Sequence, residues 1–312
     1  MTAGLLAAIF VSTMPAPATN SDFFLDARLV RRSFDAASAG FDRHAAVHAE
    51  IRTRLLERLD IVRMTPASVL DLGAGTGQAT RALKRRYRDA HVTALDLSPS
   101  MLLQAGNQSR FFRRFSRAAG DAQRLPFADA TFDLIFSNLM LQWVGNPDAA
   151  ITEARRVLRP EGLFTFTSLG PDSLKELRHA WAAVDDREHV HAFIDMHDLG
   201  DALVRAGFVE PVMDTERLTI TYPDFPALAA ELQGSGSTNV AYGRHHGLMG
   251  RAAFRRAQSA LASLRRNNVL PVTLEIVYGH AWAGVQRKRG RAGGEIHVPL
   301  EKLTGRRPSI MK

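Results

Sequence analysis

Between Val69 and Gly77 the sequence reads VLDLGAGTG, an apolar segment that breaks into three glycines spaced by single residues. Gly73, Gly75 and Gly77 can take positive φ and let the backbone approach a ligand closely. The spacing is one residue tighter than the G-x-G-x-x-G of dinucleotide-binding turns. Asp71, two residues before the first glycine, would repel a pyrophosphate but could accept a hydrogen bond from an ammonium group. Nineteen residues after Gly77, Asp96 closes a second apolar segment, where a carboxylate can bond both hydroxyls of a ribose. Asp121 and Ala122 in AAGDAQRLPF follow a third strand-like piece, and a carboxylate beside a backbone N–H can read an adenine edge. Ser137 and Asn138 end a fourth, FDLIFSN. Any one of these aspartates would serve equally as a helix N-cap. Three of them at successive strand ends describe an adenosine ligand that carries a positive charge and no phosphate.

The elements that must hold these groups alternate. Ser68–Leu72, His91–Leu97, Phe132–Ser137 and Leu163–Ser168 read as short apolar strands. QATRALKRRY, the segment after Ser98-Pro99-Ser100, and Pro147–Val157 read as the helices between them. Such alternation predicts an α/β, doubly wound, mainly parallel sheet covered on both faces, with its ligand at the carboxyl ends of the strands. Residues 23–60 form an N-terminal helical segment, with Val47, Ile51, Leu55 and Leu59 on one stripe. After Ser168 a helix over 172–183, a His-rich loop, and a helix over 199–206 capped by Gly207 precede a strand at 209–221. A helical insertion (223–268) separates this strand from a last one at 271–284.

With 312 residues, 46% hydrophobic and 23% charged, the chain has ordinary globular composition. It holds no apolar run of about 18 residues, so no membrane association is expected. The absence of cysteine excludes disulfides, thiolate metal sites and cysteine nucleophiles. Residues 1–22 read as a disordered N-terminus or a misassigned start; Gly4–Val11 is apolar but lacks the basic residues that precede a secretory h-region. The net charge of +8 is concentrated in a basic tail over 285–312, with eight Lys/Arg against Glu295 and Glu301. It is therefore a local feature and no sign of nucleic-acid binding.

Val69–Ser168 resembles the class I S-adenosylmethionine-dependent methyltransferases, which have a Rossmann-like seven-stranded sheet. The resemblance implies one such domain over 23–284 and S-adenosyl-L-methionine as cofactor. It further implies that Gly73, Gly75 and Gly77 line the cofactor, Asp71 lies near its amino-acid moiety, Asp96 and Leu97 hold the ribose, Asp121 and Ala122 the adenine, and Asn138 the methionine end. A narrower resemblance runs from about Val30 to Ala283. It is carried by RRSFDAASAGFDRHAAVHAEI, LPFADATFDLIFSNLMLQWV, TSLGPDSLKELRHAW, HVHAFIDMHDLGDALVRAGF, LQGSGSTNV and LPVTLEIVYGHAW. These segments are similar to the malonyl-acyl-carrier-protein O-methyltransferases of the biotin pathway. Phe41 and His48 depart from the Tyr and Gln common there, and Glu161 stands in place of a glycine.

That resemblance implies methylation of the free carboxylate of a malonyl thioester, giving the ester that primes pimelate synthesis. It implies an acyl-carrier protein as partner, a cytoplasmic setting and a monomer. Two other readings stand beside it: methylation of another small carboxylate or quinone precursor, and a non-methylating role like that of respiratory complex I assembly factors. A carboxylate is already ionised at neutral pH, so the reaction needs a clamp and no base. Arg178 in LKELRHAW offers a bidentate partner for it, and His189 a donor. Gln142 and Trp143 are expected to begin a wall between cofactor and substrate, the indole excluding water while keeping one N–H. His189, His191, Asp195 and His197 have no further ligand at helical spacing, and no metal site is expected. RFFRRFSR (110–117) offers arginines for an acidic carrier, against the plainer reading of a solvated face.

Overall fold

The computed structural model describes residues 25–107, 115–241, 244 and 250–284. The tail, the first 24 residues and most of the 110–117 segment therefore lie outside the described residues.

Two helices, α1 (Ala27–Ala37) and α2 (Ala46–Arg58), joined through a 3₁₀ turn at Phe41–Arg43, precede the sheet. Asp26 caps α1 through a 2.9 Å bond from the Arg28 N–H. The alternating core follows: β1 (Ser68–Leu72), α3 (Gln78–Arg86), β2 (His91–Asp96), α4 (Pro99–Asn107), β3 (Ser116–Ala119), β4 (Phe132–Ser137), α5 (Pro147–Val157) and β5 (Leu158–Leu169). Beyond it lie α6 (Lys175–Ala182), α7 (Met196–Arg205), β6 (Phe208–Tyr222), α8 (Phe225–Gly234), α9 (Arg251–Ser263) and β7 (Leu270–Ala283).

The seven strands form one sheet in the order β3-β2-β1-β4-β5-β7-β6. The first five pair in parallel and β7 runs antiparallel to both β5 and β6. The strand order reverses between β1 and β4, so their carboxyl ends diverge and open a crevice there. One sheet face packs α5 and α7 through Ala150, Ile151, Leu199 and Leu203, and the other packs α2 and α3 through Ile51, Leu55 and Leu83. A satellite core of Leu177, Trp181, Leu228, Leu261 and Val272 joins α6, α8 and α9 to the start of β7.

Local chemistry sets most boundaries. Ser98 Oγ accepts the Met101 N–H at 3.1 Å and opens α4, and Asn146 Oδ1 accepts the Ala149 N–H at 3.1 Å ahead of Pro147 and opens α5. Gly207, at φ +86°, follows the end of α7. Two expected boundaries move. The helix expected from 172 begins only at Lys175, because Leu174 takes φ +59°. The turn expected at 159–162 belongs instead to β5, which pairs with β4 on both sides of an irregularity, and Glu161 sits there at φ +63°. Among the described residues of the insertion, α8 ends at Gly234 and α9 begins at Arg251. No helix among the described residues is long and apolar enough to cross a membrane.

Candidate active site

The glycine turn is fastened to the neighbouring strand, with the Gly73 and Ala74 N–H groups both donating to the Leu95 carbonyl at 2.9 and 3.0 Å. All three glycines have positive φ, yet each answers to a different demand. A Cβ on Gly73 would lie 2.4 Å from Met140 Cγ, and one on Gly77 would lie 2.8 Å from Ala105 Cβ. A Cβ on Gly75 would meet nothing within 4 Å, so this residue fronts open space. Gly73 and Gly75 line the crevice; Gly77 is turned toward α4 and lets α3 pack against it.

The crevice is a cavity of about 240 Å³. Asp71, Asp96, Leu97, Asp121, Ala122 and Asn138 all reach its lining from strand ends. Asp96 accepts the Gly75 N–H on one oxygen and the Ser98 N–H on the other, both at 2.8 Å. Both carboxylate oxygens are thereby oriented, and each keeps lone pairs for a ligand. Burial pushes Asp96 up to about 6 against those two bonds. Burial likewise pushes Asp71 up to about 7, while the Thr80 hydroxyl that donates to it pulls the other way. Two carboxyls poised near neutrality, Asp71 buried and Asp96 half-buried, suit a cation, since among the described residues neither has one of its own in hydrogen-bond contact. Asp121 Oδ1 takes the Gln123 N–H at 2.9 Å, which fixes the carboxylate at the cavity edge. Ser137, by contrast, is fully buried and donates to the Leu72 carbonyl at 2.8 Å, so it joins β1 to β4 and faces no ligand.

The N-terminal helices roof this cavity with Val30, Phe34, Phe41, His48 and Arg52. Polar bonds hold the roof down. Asp42 accepts from Thr76 Oγ1 at 2.6 Å and from Gln78 Nε2 at 2.8 Å, and the Ser98 hydroxyl donates to Asp35 at 2.6 Å. Asn138 Nδ2 donates to the His48 carbonyl at 3.2 Å while its Oδ1 accepts from Thr167 at 3.1 Å, clipping α2 to the ends of β4 and β5. Sequence reasoning missed Arg52, whose position on the polar face of an amphipathic helix reads as solvent-facing; only the path of α2 across the crevice brings it in.

A second cavity of about 110 Å³ adjoins the first, and His48, Leu139 and Trp143 line both. Leu139 holds φ +52°, a strained conformation for a leucine, and its N–H is anchored by Thr167 Oγ1 at 2.9 Å. Trp143 meets the Phe34 ring edge-on at 5.2 Å and lies 5.1 Å from the His191 ring. The second cavity is otherwise mainly apolar, with Leu177, Phe193, Leu228 and Leu274 among its walls and Gln142, His189, His191, Tyr222 and Glu231 as polar groups.

The structure separates the other sequence-derived candidates. His189 lines this cavity, stacked on Trp181 at 4.2 Å and bonded to Asp185 at 2.7 Å. Gln142 lines it too, donating from Nε2 to the Leu139 carbonyl at 2.8 Å. Arg178 lines neither cavity: its guanidinium turns back to donate to the carbonyls of Pro171 and Ser173, the latter at 2.7 Å. Asp195 is occupied in capping α7 through the His197 N–H at 2.7 Å. Among the described residues no three His, Asp or Glu side chains converge on a common point.

Residues 70–166 match the family model described as a methyltransferase domain. The malonyl-acyl-carrier-protein O-methyltransferase of Laribacter hongkongensis is 48% identical over 275 residues, covering 86% of this chain and 93% of that one. The same enzyme of Halorhodospira halophila is 44% identical over 286 residues, covering 91% and 97%. Among solved structures, the YcgJ protein of Bacillus subtilis superposes with a TM-score of 0.54 at 17% identity, over 75% of this chain and 99% of that one. A putative methyltransferase of Bacillus halodurans gives the same TM-score at 18% identity, over 75% and 99%. These two likenesses concern the fold.

Proposed function

The chain belongs to the malonyl-acyl-carrier-protein O-methyltransferase family, and from that premise we infer that it methylates the free carboxylate of a malonyl thioester held on an acyl-carrier protein. The observation that carries this reading is the pair of cavities meeting at His48, Leu139 and Trp143, the larger edged by carboxylates and the smaller mainly apolar.

S-adenosyl-L-methionine fits the larger cavity by the chemistry of its lining. Asp96 would hold the ribose hydroxyls, Asp121 the adenine amine, Asp71 the ammonium group, and the open face of Gly75 admits close approach of the ligand. When bound, the cofactor supplies an electrophilic methyl on a positively charged sulfur. The chain's own contribution is placement and exclusion of water. The malonyl carboxylate is ionised at neutral pH and needs no base, so the wall residues have to hold its oxygen within roughly 3 Å of the methyl and in line with it. The hydrophobic faces of Leu139 and Trp143 keep water from competing, and the apolar second cavity takes the short acyl chain.

The direct test is an assay with malonyl-carrier protein and cofactor labelled in the methyl group. Label recovered in a base-labile ester is the expected result; cofactor binding with no label transferred would overturn the reading. Restored growth of a biotin-requiring strain lacking this step would support the place in pimelate synthesis that the family resemblance implies, and a cytoplasmic setting follows from the two co-substrates.

The raised carboxyls of the larger cavity give a pH prediction. Between the ordinary carboxylate range and pH 6–7, folded apo protein retains protons on Asp71 and Asp96 that the unfolded chain has released. A cation entering the cavity favours the ionised carboxyls, so binding expels protons in this window. Affinity for S-adenosylmethionine is expected to rise about tenfold or more from pH 5.5 to 7.5 and then level off. Calorimetry in two buffers of different ionisation enthalpy measures the released protons; pH-independent affinity without proton release would show that both carboxyls are already ionised in the empty protein.

For the carrier, α9 is the more suitable described surface. Arg251 and Arg255 are exposed with no ion-pair partner among the described residues, and α9 packs on α6 and α8, which contribute Leu177, Leu228 and Leu232 to the second cavity. Carrier proteins are acidic as a class, and charge complementarity acts mainly on encounter. Reversing both charges (R251E with R255E) should lower kcat/KM for malonyl-carrier protein about tenfold at low salt and much less at high salt. An unchanged, salt-independent value would remove α9 from the docking surface.

A further inference from the structure

Three buried polar atoms lack hydrogen-bond partners in the described structure: His48 Nδ1, Gln142 Oε1 and His191 Nε2. All three residues line the second cavity. Leaving such atoms unpaired is costly, so three around one cavity mark a place built for a polar ligand. Neither imidazole has a role in the chemistry above, because the carboxylate needs no general base.

We propose that His191 is the substrate-carboxylate partner: it takes up one proton when the malonyl anion enters, binds the anion through Nε2–H, and gives the proton back to solvent once methylation has turned the carboxylate into a neutral ester. The proposal rests on the malonyl-methyltransferase reading above.

The geometry is specific to His191. The Gln142 backbone beside the ring favours an N–H on that side, which leaves Nε2, buried without a partner, with the lone pair in the neutral ring. A neutral His191 therefore offers nothing to a carboxylate, and a protonated one offers a fixed donor. The ring is held between Trp143 at 5.1 Å and Phe193 at 4.9 Å, with only 5% of its surface exposed. In the empty cavity burial and the positive charge of Arg178 hold His191 down at about 4. His48, on the cofactor side, is held at about 4 by burial and by Arg52. The other titratable groups lining the cavity with His191 are His44, His189, already bonded to Asp185, Tyr222 and Glu231. An entering anion reverses the balance, because a carboxylate in a low-dielectric pocket strongly favours the imidazolium. The ester product carries no charge, so the protonated ring loses its partner and reverts. Substrate and product are thus told apart by charge, at a ring that changes state only while the free acid is bound.

Linkage fixes the sign. Binding that takes up a proton weakens as pH rises, by up to tenfold per unit between the free and bound values of the ring. With cofactor saturating, KM for malonyl-carrier protein is expected to rise steeply from pH 6 to 8, and calorimetry of malonyl-carrier protein binding in the presence of S-adenosylhomocysteine to register uptake of about one proton. The methyl ester should take up none. His191→Asn keeps a neutral polar group and should raise KM at pH 6.5 about tenfold or more, flatten the pH dependence and leave KM for S-adenosylmethionine within a factor of two. A flat KM with no proton uptake in the unaltered enzyme that nonetheless forms the ester overturns the proposal alone. Failure to form any malonyl ester overturns it together with the reading on which it rests. Because the proton count is taken on the unaltered enzyme, the proposal stays testable even where the variant fails to fold.

Discussion

Asp96→Ala should weaken S-adenosylmethionine binding by on the order of 100-fold while leaving the protein folded. Bonds from hydroxyls to a charged carboxylate contribute about 1.5–3 kcal/mol each, and this side chain offers two oriented oxygens. Part of that loss is offset, because burying the carboxylate is itself unfavourable, as its upward shift to about 6 records. About 3 kcal/mol remains, which corresponds to two decades in affinity. The substitution also frees the Gly75 N–H that Asp96 now accepts, so the turn loses one of its anchors. Calorimetric titration with S-adenosylhomocysteine checks the value. An affinity within threefold of the unaltered chain would take the ribose away from this position.

Gly73→Ala is expected to give the largest stability effect. Its φ of +79° costs an L-residue roughly 1–2 kcal/mol. The new methyl would also stand 2.4 and 2.5 Å from Met140 Cγ and Cβ, and Cβ cannot move without the backbone. Adding about 1–3 kcal/mol for overpacking brings the total to about 2–5 kcal/mol, or a fall in Tm of roughly 3–8 °C for a chain of this size. Gly75→Ala is the natural contrast. Its Cβ meets nothing, so stability should fall by about 1 kcal/mol while ligand affinity falls sharply, the methyl now occupying the ligand's side of the turn. Thermal unfolding of the two variants decides the matter: equal Tm values would mean that Met140 does not press on the turn.

The contrast between these glycines shows what was legible in the sequence. Spacing after an apolar strand picked out the turn, and the three aspartates followed because each closes a strand in a fold whose ligand edge is fixed by topology. Spacing could not tell that Gly77 serves the packing of α3 on α4. Likewise Ser137 and Asn138 look alike as polar strand ends, yet one is spent between β1 and β4 and the other faces the cavity. The second cavity was less legible because distant segments build it: α2, the 3₁₀ turn at Leu141–Trp143, the loop before α7, and α8. The charge of Arg178 suggests a carboxylate clamp, but Leu174 at φ +59° folds the preceding loop so that nearby carbonyls take its guanidinium. His191 sat in view beside His189, and nothing in the pattern HVH says which ring is left without a partner.

The wall of His48, Leu139 and Trp143 has one more consequence. If the two cavities hold the two co-substrates as proposed, each is closed on one side by the same three residues, so a displacement forced by either occupant changes the shape offered to the other. Thermodynamic reciprocity then requires the two affinities to be coupled by one common factor, whichever ligand arrives first. A partition held partly by a strained leucine and clamped through Thr167 is well suited to transmit such a factor, because it has little freedom to absorb the strain locally.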